Sequence, residues 1–471
     1  MKSILKNTSL QKGLVITVMA FTLQSCFVAK DYTRPEVTET ENLYRTDNLP
    51  SDSISMANIS WKSLFTDVYL SEYIAEGLQN NMDVRIAIQQ MIAAEAYAKQ
   101  GKAGYLPSIS VGANATHQEL SKNGQFGSIF GGGIDQYDVT ANVSWEADIW
   151  GKIRSNKRAT AAGYLQSVAA HQAVKTQLIS SIATTYYQLL ALDSQLEITK
   201  KTIESRKNGV ETIKALKDAG LTNQVAVDQN IAQYNSARAL EVDIETAIFK
   251  TENTLSILLG KNAQKFERGS LTNQKIETEL KLGVPSTLLS NRPDVMAAEY
   301  NLIQSFELSN VARSNFYPSL KLTASGGFQS LELDNLIDTN SLFATIIGGL
   351  TQPIFNKRSL KTQQEVALAQ QEQSLLQFKK ALLVAGNEVS NALFTYTSET
   401  KKFEFRKNEV EALRKAEQNS EELLKNGYAT YLDLLTARQS ALNAELNVID
   451  SKLQQLVSIV NLYEALGGGL K

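Results

Sequence analysis

The sequence predicts a mixed α and β chain in which one plan is written twice, each copy carrying two strands of membrane-crossing length and long coiled-coil helices. Three observations carry that reading. Ordered anchors recur at a nearly constant offset. The hydrophobic period switches to two after Pro107 and again after Pro318. The seven prolines, at 35, 50, 107, 285, 293, 318 and 353, leave 108–284 and 354–471 free for uninterrupted helix.

The chain opens with Lys2, Lys6 and Lys12, then the apolar run Gly13 to Leu23, then Leu23-Gln24-Ser25-Cys26. That order is a signal peptide over 1–25, too short in its apolar part to span a bilayer as a helix of roughly 20 residues. A small residue before the sole cysteine, with leucine three positions upstream, resembles a bacterial lipobox in which Cys26 is acylated and becomes the mature N-terminus. Phe27 in place of aspartate argues by analogy against retention in the inner membrane. The plainer alternative is a secretory signal with a chance cysteine. The expected cofactor list is empty apart from a covalent lipid on Cys26.

Removing 1–25 takes three lysines and no acid, so the net charge moves from −2 to −5 and nothing suggests a nucleic-acid partner. The mature chain has no apolar run of 18 residues and therefore no transmembrane helix. Crossing a membrane depends on its strands.

Asn81-Met82-Asp83-Val84 opens a helical pattern that ends at Gly104-Tyr105-Leu106-Pro107-Ser108, and Arg292-Pro293-Asp294-Val295 opens another that ends at Phe316-Tyr317-Pro318-Ser319. Both lie 211 apart. Asp148-Ile149-Trp150-Gly151-Lys152 matches Pro353-Ile354-Phe355-Asn356-Lys357 at 205, and Gly220 and Leu259-Gly260 match Gly427 and Leu466-Gly467 at 207. The six-residue loss is placed between 115 and 137, in a Gly-rich surface loop.

After each proline the pattern alternates. Ile109, Val111, Ala113 and Ala115 face one way; Tyr137, Val139, Ala141, Val143 and Trp145 do the same in the partner run. Leu320, Leu322, Ala324 and Phe328 repeat this in the second copy, and Leu342 to Gln352 follows less cleanly. Strands are expected at about 107–117, 137–148, 318–329 and 342–353, the length of tilted membrane strands with one lipid-facing side. Two amphipathic hairpins on a soluble core would show the same alternation. Four strands cannot close a barrel, and open edges in lipid cost several kcal/mol per unpaired group. Chains must pool them: three would give 12 strands, two would give eight.

From Lys152 to Lys217 the apolar residues Ile182, Leu189, Leu196, Ile203 and Val210 recur every seven, and from Lys357 to Lys425 so do Leu368, Leu375, Leu382, Val389, Tyr396, Phe403 and Val410. A sustained heptad implies coiled-coil packing. Returning helices are expected at 222–260 and 430–467, and shorter opening helices at 80–104 and 293–316. One returning helix and one opening helix together nearly equal a long helix, so the pieces fit a wall of uniform height.

These residues resemble the TolC-like outer-membrane efflux channels, in the lipid-anchored branch that serves tripartite pumps. The marks are Tyr32-Thr33-Arg34-Pro35, Trp61-Lys62-Ser63-Leu64-Phe65-Thr66-Asp67 and, most specifically, Val284-Pro285-Ser286-Thr287-Leu288-Leu289-Ser290-Asn291-Arg292-Pro293-Asp294-Val295. The resemblance implies a homotrimer with a 12-stranded barrel in the outer membrane, four strands per chain, continuous with a coiled-coil α-helical barrel in the periplasm. It implies a lipid anchor and belt segment over 26–79, repeat 1 over 80–260, a linker and belt segment over 261–291, repeat 2 over 292–467 and a tail over 468–471. Its implied partners are a periplasmic adaptor (membrane fusion protein), an inner-membrane pump and outer-membrane lipid. The alternatives are a type I protein-secretion channel, and a lipid-anchored coiled-coil scaffold without a pore.

Ala219-Gly220-Leu221-Thr222 resembles the family's adaptor-binding turn, and Asn426-Gly427-Tyr428 holds the equivalent place. Plain helix caps would use the same glycines. Tyr431-Leu432-Asp433-Leu434-Leu435-Thr436-Ala437 resembles the segment lining the periplasmic mouth. On a three-fold axis Asp433 would form a carboxylate ring and Leu432 an apolar constriction, with Thr436 where many relatives place a second acid. Asp433 also suits a first-turn acid at a helix N-terminus. No catalytic or metal site is expected. His117 and His171 are the only histidines and lack ligand spacing. No G-x-S-x-G or Walker pattern occurs, and a lipidated cysteine is no nucleophile.

Overall fold

The computed structural model describes residues 28–35, 60–121, 123–124, 127, 133–274 and 292–468. The expected signal peptide, Cys26, most of the Gly-rich loop and the linker from 275 to 291 lie outside the described residues. The elements in order are α1 (Trp61–Leu64), α2 (Val68–Asn80), α3 (Met82–Ala103), β1 (Ser108–Glu119), β2 (Gly133–Ala147), α4 (Lys152–Asp218), α5 (Gln224–Leu258), α6 (Pro293–Ser314), β3 (Ser319–Ser330), β4 (Leu342–Thr351), α7 (Ser359–Lys425) and α8 (Tyr431–Ala465), with three short 3-10 turns. The chain divides into two compact units, and α3, α4, α6 and α7 contribute to both.

The first unit holds the strands. They form one antiparallel sheet in the order β1-β2-β3-β4. Its register keeps apolar residues opposite apolar residues: Val111 faces Ala141, Val143 faces Ala324, and Leu320 faces Leu350. Such cross-strand pairs are what fix a register. The apolar face has no protein cover, with Val111 74% and Ile346 76% exposed. Among the described residues no helix is long and apolar enough to cross a membrane. At the helix-bearing end Trp150 stacks on Tyr317 with centroids 4.9 Å apart, and its indole donates to the Pro318 carbonyl at 2.8 Å.

The N-terminal segment 28–35 is held in the same unit. The Asn310 side chain accepts from the Lys30 amide at 3.2 Å and donates to the Lys30 carbonyl at 2.9 Å. Asn310 is fully buried in α6, where asparagine is a poor helix former, and this pair of hydrogen bonds accounts for it. Tyr32 meets Phe306 edge-on and Arg34 pairs with Glu299 at 3.0 Å, so the segment runs antiparallel to α6.

The second unit holds a core of Leu70, Ile74, Ile179, Ile182, Tyr186, Leu189, Leu190 and Tyr463. Asp67 organises one edge. It caps α2 by accepting from the Leu70 amide at 3.1 Å and also accepts from the Tyr186 hydroxyl at 2.8 Å and Gln274 at 2.7 Å. Here the segments 61–80 and 261–274 pack together, Tyr73 meeting Phe266 edge-on. Arg292, the first described residue after the linker, donates to Asp294, to Glu388 at 2.7 Å and to the Ala465 carbonyl at 2.7 Å.

The two copies superpose in conformation more regularly than their residues suggest. α3 and α6, and β1 and β3, begin and end 211 residues apart. α4 and α7, and α5 and α8, begin and end 207 apart. Three details of the sequence reading are corrected. The helix expected at 80–104 breaks at Asn81, whose side chain accepts from the Asp83 amide at 2.8 Å and starts α3 afresh. β2 begins at Gly133 and β4 stops at Thr351, where 137 and 353 were expected. The offset of 205 at the end of the second hairpin is a likeness of residues alone. Left-handed Gly151 (φ 76°) corresponds to left-handed Arg358 (φ 67°), 207 later, and the hairpin registers agree with that value. Four residues, not six, are lost between the copies.

Candidate functional site

The candidate residues other than Cys26 lie in the second unit, where α4 turns into α5 and α7 into α8. Both reversals end in the same cap. Gly220 (φ 76°) donates to the Lys217 carbonyl at 2.8 Å while Leu221 donates to Leu216 at 2.9 Å. Gly427 (φ 77°) donates to Leu424 at 3.1 Å and Tyr428 to Leu423 at 2.9 Å. These paired bonds satisfy the last helical carbonyls and need a left-handed residue, which glycine adopts without steric cost. A side chain at either glycine would meet open space. The caps leave Leu221 74% and Tyr428 83% exposed, with Thr222 half-buried between Leu221 and the next cap, Asn223. A large exposed leucine and tyrosine on a tight turn are sites where a partner gains apolar contact at little ordering cost.

α8 starts on a reciprocal cap. The Thr430 amide donates to Asp433 Oδ2 at 2.8 Å and its hydroxyl donates to the same oxygen at 2.6 Å, while the Asp433 amide donates back to Thr430 Oγ1 at 3.4 Å. The Thr430 hydroxyl, and then its amide, hold the Asp433 carboxyl below the ordinary range. Asp433 therefore performs the capping role and stays an exposed anion. Leu432 beside it is 58% exposed, and the Thr436 hydroxyl donates back to the Leu432 carbonyl at 2.9 Å. Leu432, Asp433 and Thr436 share the exposed side of one turn.

Behind this turn lies a cleft of about 1020 Å³ that reaches from Leu221 and Gly427 past Tyr431 to Arg438. Around Tyr431 and Arg438, which line it, the helices carry a set of polar ties absent from the sequence reading. Arg206, 9% exposed, donates to the Gln233 carbonyl at 2.6 Å and to Gln439 Oε1 at 2.7 Å, bridging α4 to α5 and α8. The Tyr431 hydroxyl donates to Asn230 Oδ1 across the same gap. Burial, with Arg438 nearby, pulls the Arg206 guanidinium below its usual value. Arg438 pairs with Glu421 at 3.3 Å, and Arg414 with Glu445 at 2.5 Å, joining α7 to α8. The signal was present in the heptads. On α4 Ile182 and Leu189 are buried as expected, but Leu196, Ile203 and Val210 are only half-buried, and Thr199, Arg206 and Ile213, each three residues on, take the buried line.

A family model described as outer membrane efflux protein matches residues 73–261 and 284–468. Its two matched spans coincide with the two structural copies. The chain belongs to the outer membrane efflux protein family. It is 26% identical over 452 residues to the probable outer membrane lipoprotein SilC of Salmonella typhimurium, covering 95% of this chain and 97% of that one. It is 28% identical over 418 residues to the toluene efflux pump outer membrane protein TtgF of Pseudomonas putida, covering 88% and 86%. Among solved structures, the open-state MtrE outer membrane channel of Neisseria gonorrhoeae matches with a TM-score of 0.83 at 26% identity, covering 94% of this chain and 98% of that one. This efflux protein is an outer-membrane transport conduit and not an enzyme.

Proposed function

We propose that three copies of this chain close one conduit through the outer membrane, into which a periplasmic adaptor and an inner-membrane pump deliver small-molecule cargo. The observation that carries the reading is the four-stranded sheet itself, with an uncovered apolar face and both edge strands unpaired among the described residues. Edges of that kind are untenable in lipid unless another chain completes them. Cys26, acylated, anchors the chain. The turns at Gly220, Leu221 and Thr222 and at Gly427 and Tyr428 meet the adaptor. Leu432, Asp433 and Thr436 surround the periplasmic mouth, where three Asp433 carboxylates favour cations and Leu432 narrows the path. The pump chooses the cargo, so this chain needs no deep specific pocket.

Conductance of the purified protein in planar bilayers tests this, for wild type and Asp433→Ala. Small cation-preferring currents that enlarge in the variant support a conduit narrowed at that turn. Silence from both proteins after confirmed insertion overturns the conduit.

A further inference from the structure

We propose that the helix-bearing end of the sheet binds anionic phospholipid headgroups of the bilayer, through Lys102, Arg154 and Lys157 in the first copy and Lys361 in the second. This deepens the membrane reading above and rests on it.

Charge is spread unevenly along the sheet. Among the described residues, the end at which β1 and β3 finish carries Glu119, Asp135, Glu332, Asp334 and Asp338 and no lysine or arginine. The helix-bearing end carries Lys102, Arg154, Lys157 and Lys361, all exposed and none with an ion-pair partner among the described residues. The uncovered apolar face lies between the two. The acids at the helix-bearing end are already engaged. Asp148 accepts from the Ile153 and Arg154 amides at 2.9 Å, and Glu146 pairs with Lys152 at 3.0 Å. Asp31 pairs with Arg158 at 2.9 Å, and Glu365 with Arg358 at 3.0 Å.

The cations adjoin the apolar face itself. Trp145, on the same side of β2 as Val139 and Val143, donates its indole to the Tyr105 carbonyl at 3.0 Å. Lys157 lies over the Tyr105 ring, 5.8 Å from its centroid. A side chain at Gly101 would meet the Lys157 Cα at 3.4 Å, so the end of α3 that carries Lys102 closes on α4 at Lys157. Arg154 is three residues earlier on the same side of α4, its guanidinium beside Gly151 and Ala29. The second copy keeps the charge. Lys102 corresponds to Arg313 and Arg154 to Lys361, at the offsets of 211 and 207 that relate the helices.

The N-terminal segment brings a membrane surface to the same place. Val28, whose carbonyl accepts from Arg313 at 3.4 Å, stands two residues after Cys26. Two residues reach at most about 7 Å, so an acyl chain on Cys26 is tethered to this end of the sheet. Aromatic rings at a bilayer's edge sit at headgroup depth, and long cationic side chains extend there to reach phosphate. Clustered lysine and arginine at such a surface favour anionic over neutral lipid, and arginine holds phosphate through paired bonds. The occupant is therefore a phospholipid of net negative charge, such as phosphatidylglycerol.

The test reads Trp145 and Trp150 fluorescence in the full chain carrying Trp61→Phe, reconstituted in phosphatidylcholine bilayers. Brominated phosphatidylglycerol or brominated phosphatidylcholine is added, and bromine quenches the indoles beside which each lipid resides. This parent chain is expected to prefer phosphatidylglycerol about fivefold to tenfold, and less so at high salt. Lys102→Gln, Arg154→Gln and Lys157→Gln together are expected to reduce the preference to below about twofold. Lys207→Gln, Lys214→Gln and Lys217→Gln make the same charge change further along α4 and are expected to leave it intact. So is the charge-keeping set Lys102→Arg, Arg154→Lys and Lys157→Arg. Equal quenching by the two lipids in the parent chain overturns the headgroup band and leaves the conduit standing. A preference that survives the triple glutamine variant does the same. Loss of the preference in excess inorganic phosphate at constant ionic strength assigns the cations to a free anion and overturns the lipid. Quenching by neither lipid overturns the membrane reading, and the band with it.

Discussion

Thr430 and Asp433 satisfy one another across the first turn of α8, each side chain holding the other's amide. The cap fixes the exposed turn that also carries Leu432 and Thr436. Thr430→Ala removes the hydroxyl's bond to the Asp433 carboxylate and the acceptor of the Asp433 amide, leaving the backbone amide bond, at a cost of about 1 kcal/mol to the start of the helix. The amides of 432–435 are expected to exchange roughly fivefold faster, while those at mid-helix keep their protection. Hydrogen exchange read by mass spectrometry checks this, and equal exchange in both proteins refutes it.

The same pair sets a pH dependence. Because the Asp433 carboxyl is held below its ordinary 3.8 by the Thr430 hydroxyl, its contribution is present above that value and is lost as the pH falls through the lowered one. Protection of this turn is therefore expected to be level from neutral pH down to 3.8 and to fall only below it. Exchange rates corrected for intrinsic pH effects give the measurement.

Glu464 behaves in the opposite sense. Burial, and then the nearby Glu388, push its carboxyl above the ordinary 4.5 although Ser180 and Arg292 oppose the rise. The folded state therefore holds the proton more tightly than the unfolded chain does. Stability from this group is full below 4.5 and is lost as the pH rises through the raised value. Glu464→Gln is expected to raise the thermal midpoint at pH 8 by a few degrees, with the gain vanishing at pH 4. A gain of equal size at both pH values would mean that packing, and not charge, limits the site.

How much of this was legible beforehand follows from what each signal depends on. The strands and both reversals were readable because alternation and glycine are local: Ile109, Val111 and Gly220 state their roles within a few residues. The break at Asn81 was hidden because a single asparagine only ends a helix when its side chain bonds forward to the Asp83 amide. Arg206 was hidden for a different reason. Its partners, Gln233 and Gln439, come from α5 and α8, and an apolar heptad count passes over an arginine on the buried line. The likeness of Ile354-Phe355 to Ile149-Trp150 misled by two residues, since only backbone conformation reveals that Arg358 occupies the place of Gly151.

Arg268 gives a sharper energetic test. Its guanidinium donates to Asp193 at 2.8 Å and to Glu252 at 2.6 Å, with side-chain exposures of 14% for Arg268 and 8% for Glu252. Removing Arg268 strands the buried Glu252 carboxylate, a loss of about 3–5 kcal/mol for a buried pair, while Asp193, 37% exposed, keeps much of its hydration. Arg268→Met is expected to lower the thermal midpoint markedly, and Arg268→Met with Glu252→Leu to recover a large part of the loss. A double variant as unstable as the single one would show that the guanidinium matters for shape and not for charge.

The turn into α7 supplies the last prediction. In the first copy Gly151 takes the left-handed conformation that starts α4, and in the second copy Lys357 (φ 55°) and Arg358 (φ 67°) take it without being glycine. An L-residue there costs roughly 1–2 kcal/mol. Arg358 recovers part of that through its paired bonds to Glu365 at 3.0 and 3.1 Å, but both side chains are exposed, where such pairs contribute about 0–1 kcal/mol. Arg358→Gly is therefore expected to be neutral or stabilising by up to about 1 kcal/mol. Gly151→Ala should destabilise, since its Cβ would stand 2.9 Å from that of Ala29 as well as strain the backbone. Thermal unfolding followed by helical circular dichroism separates the two signs. A destabilised Arg358→Gly would show that the ion pair with Glu365 outweighs the backbone strain.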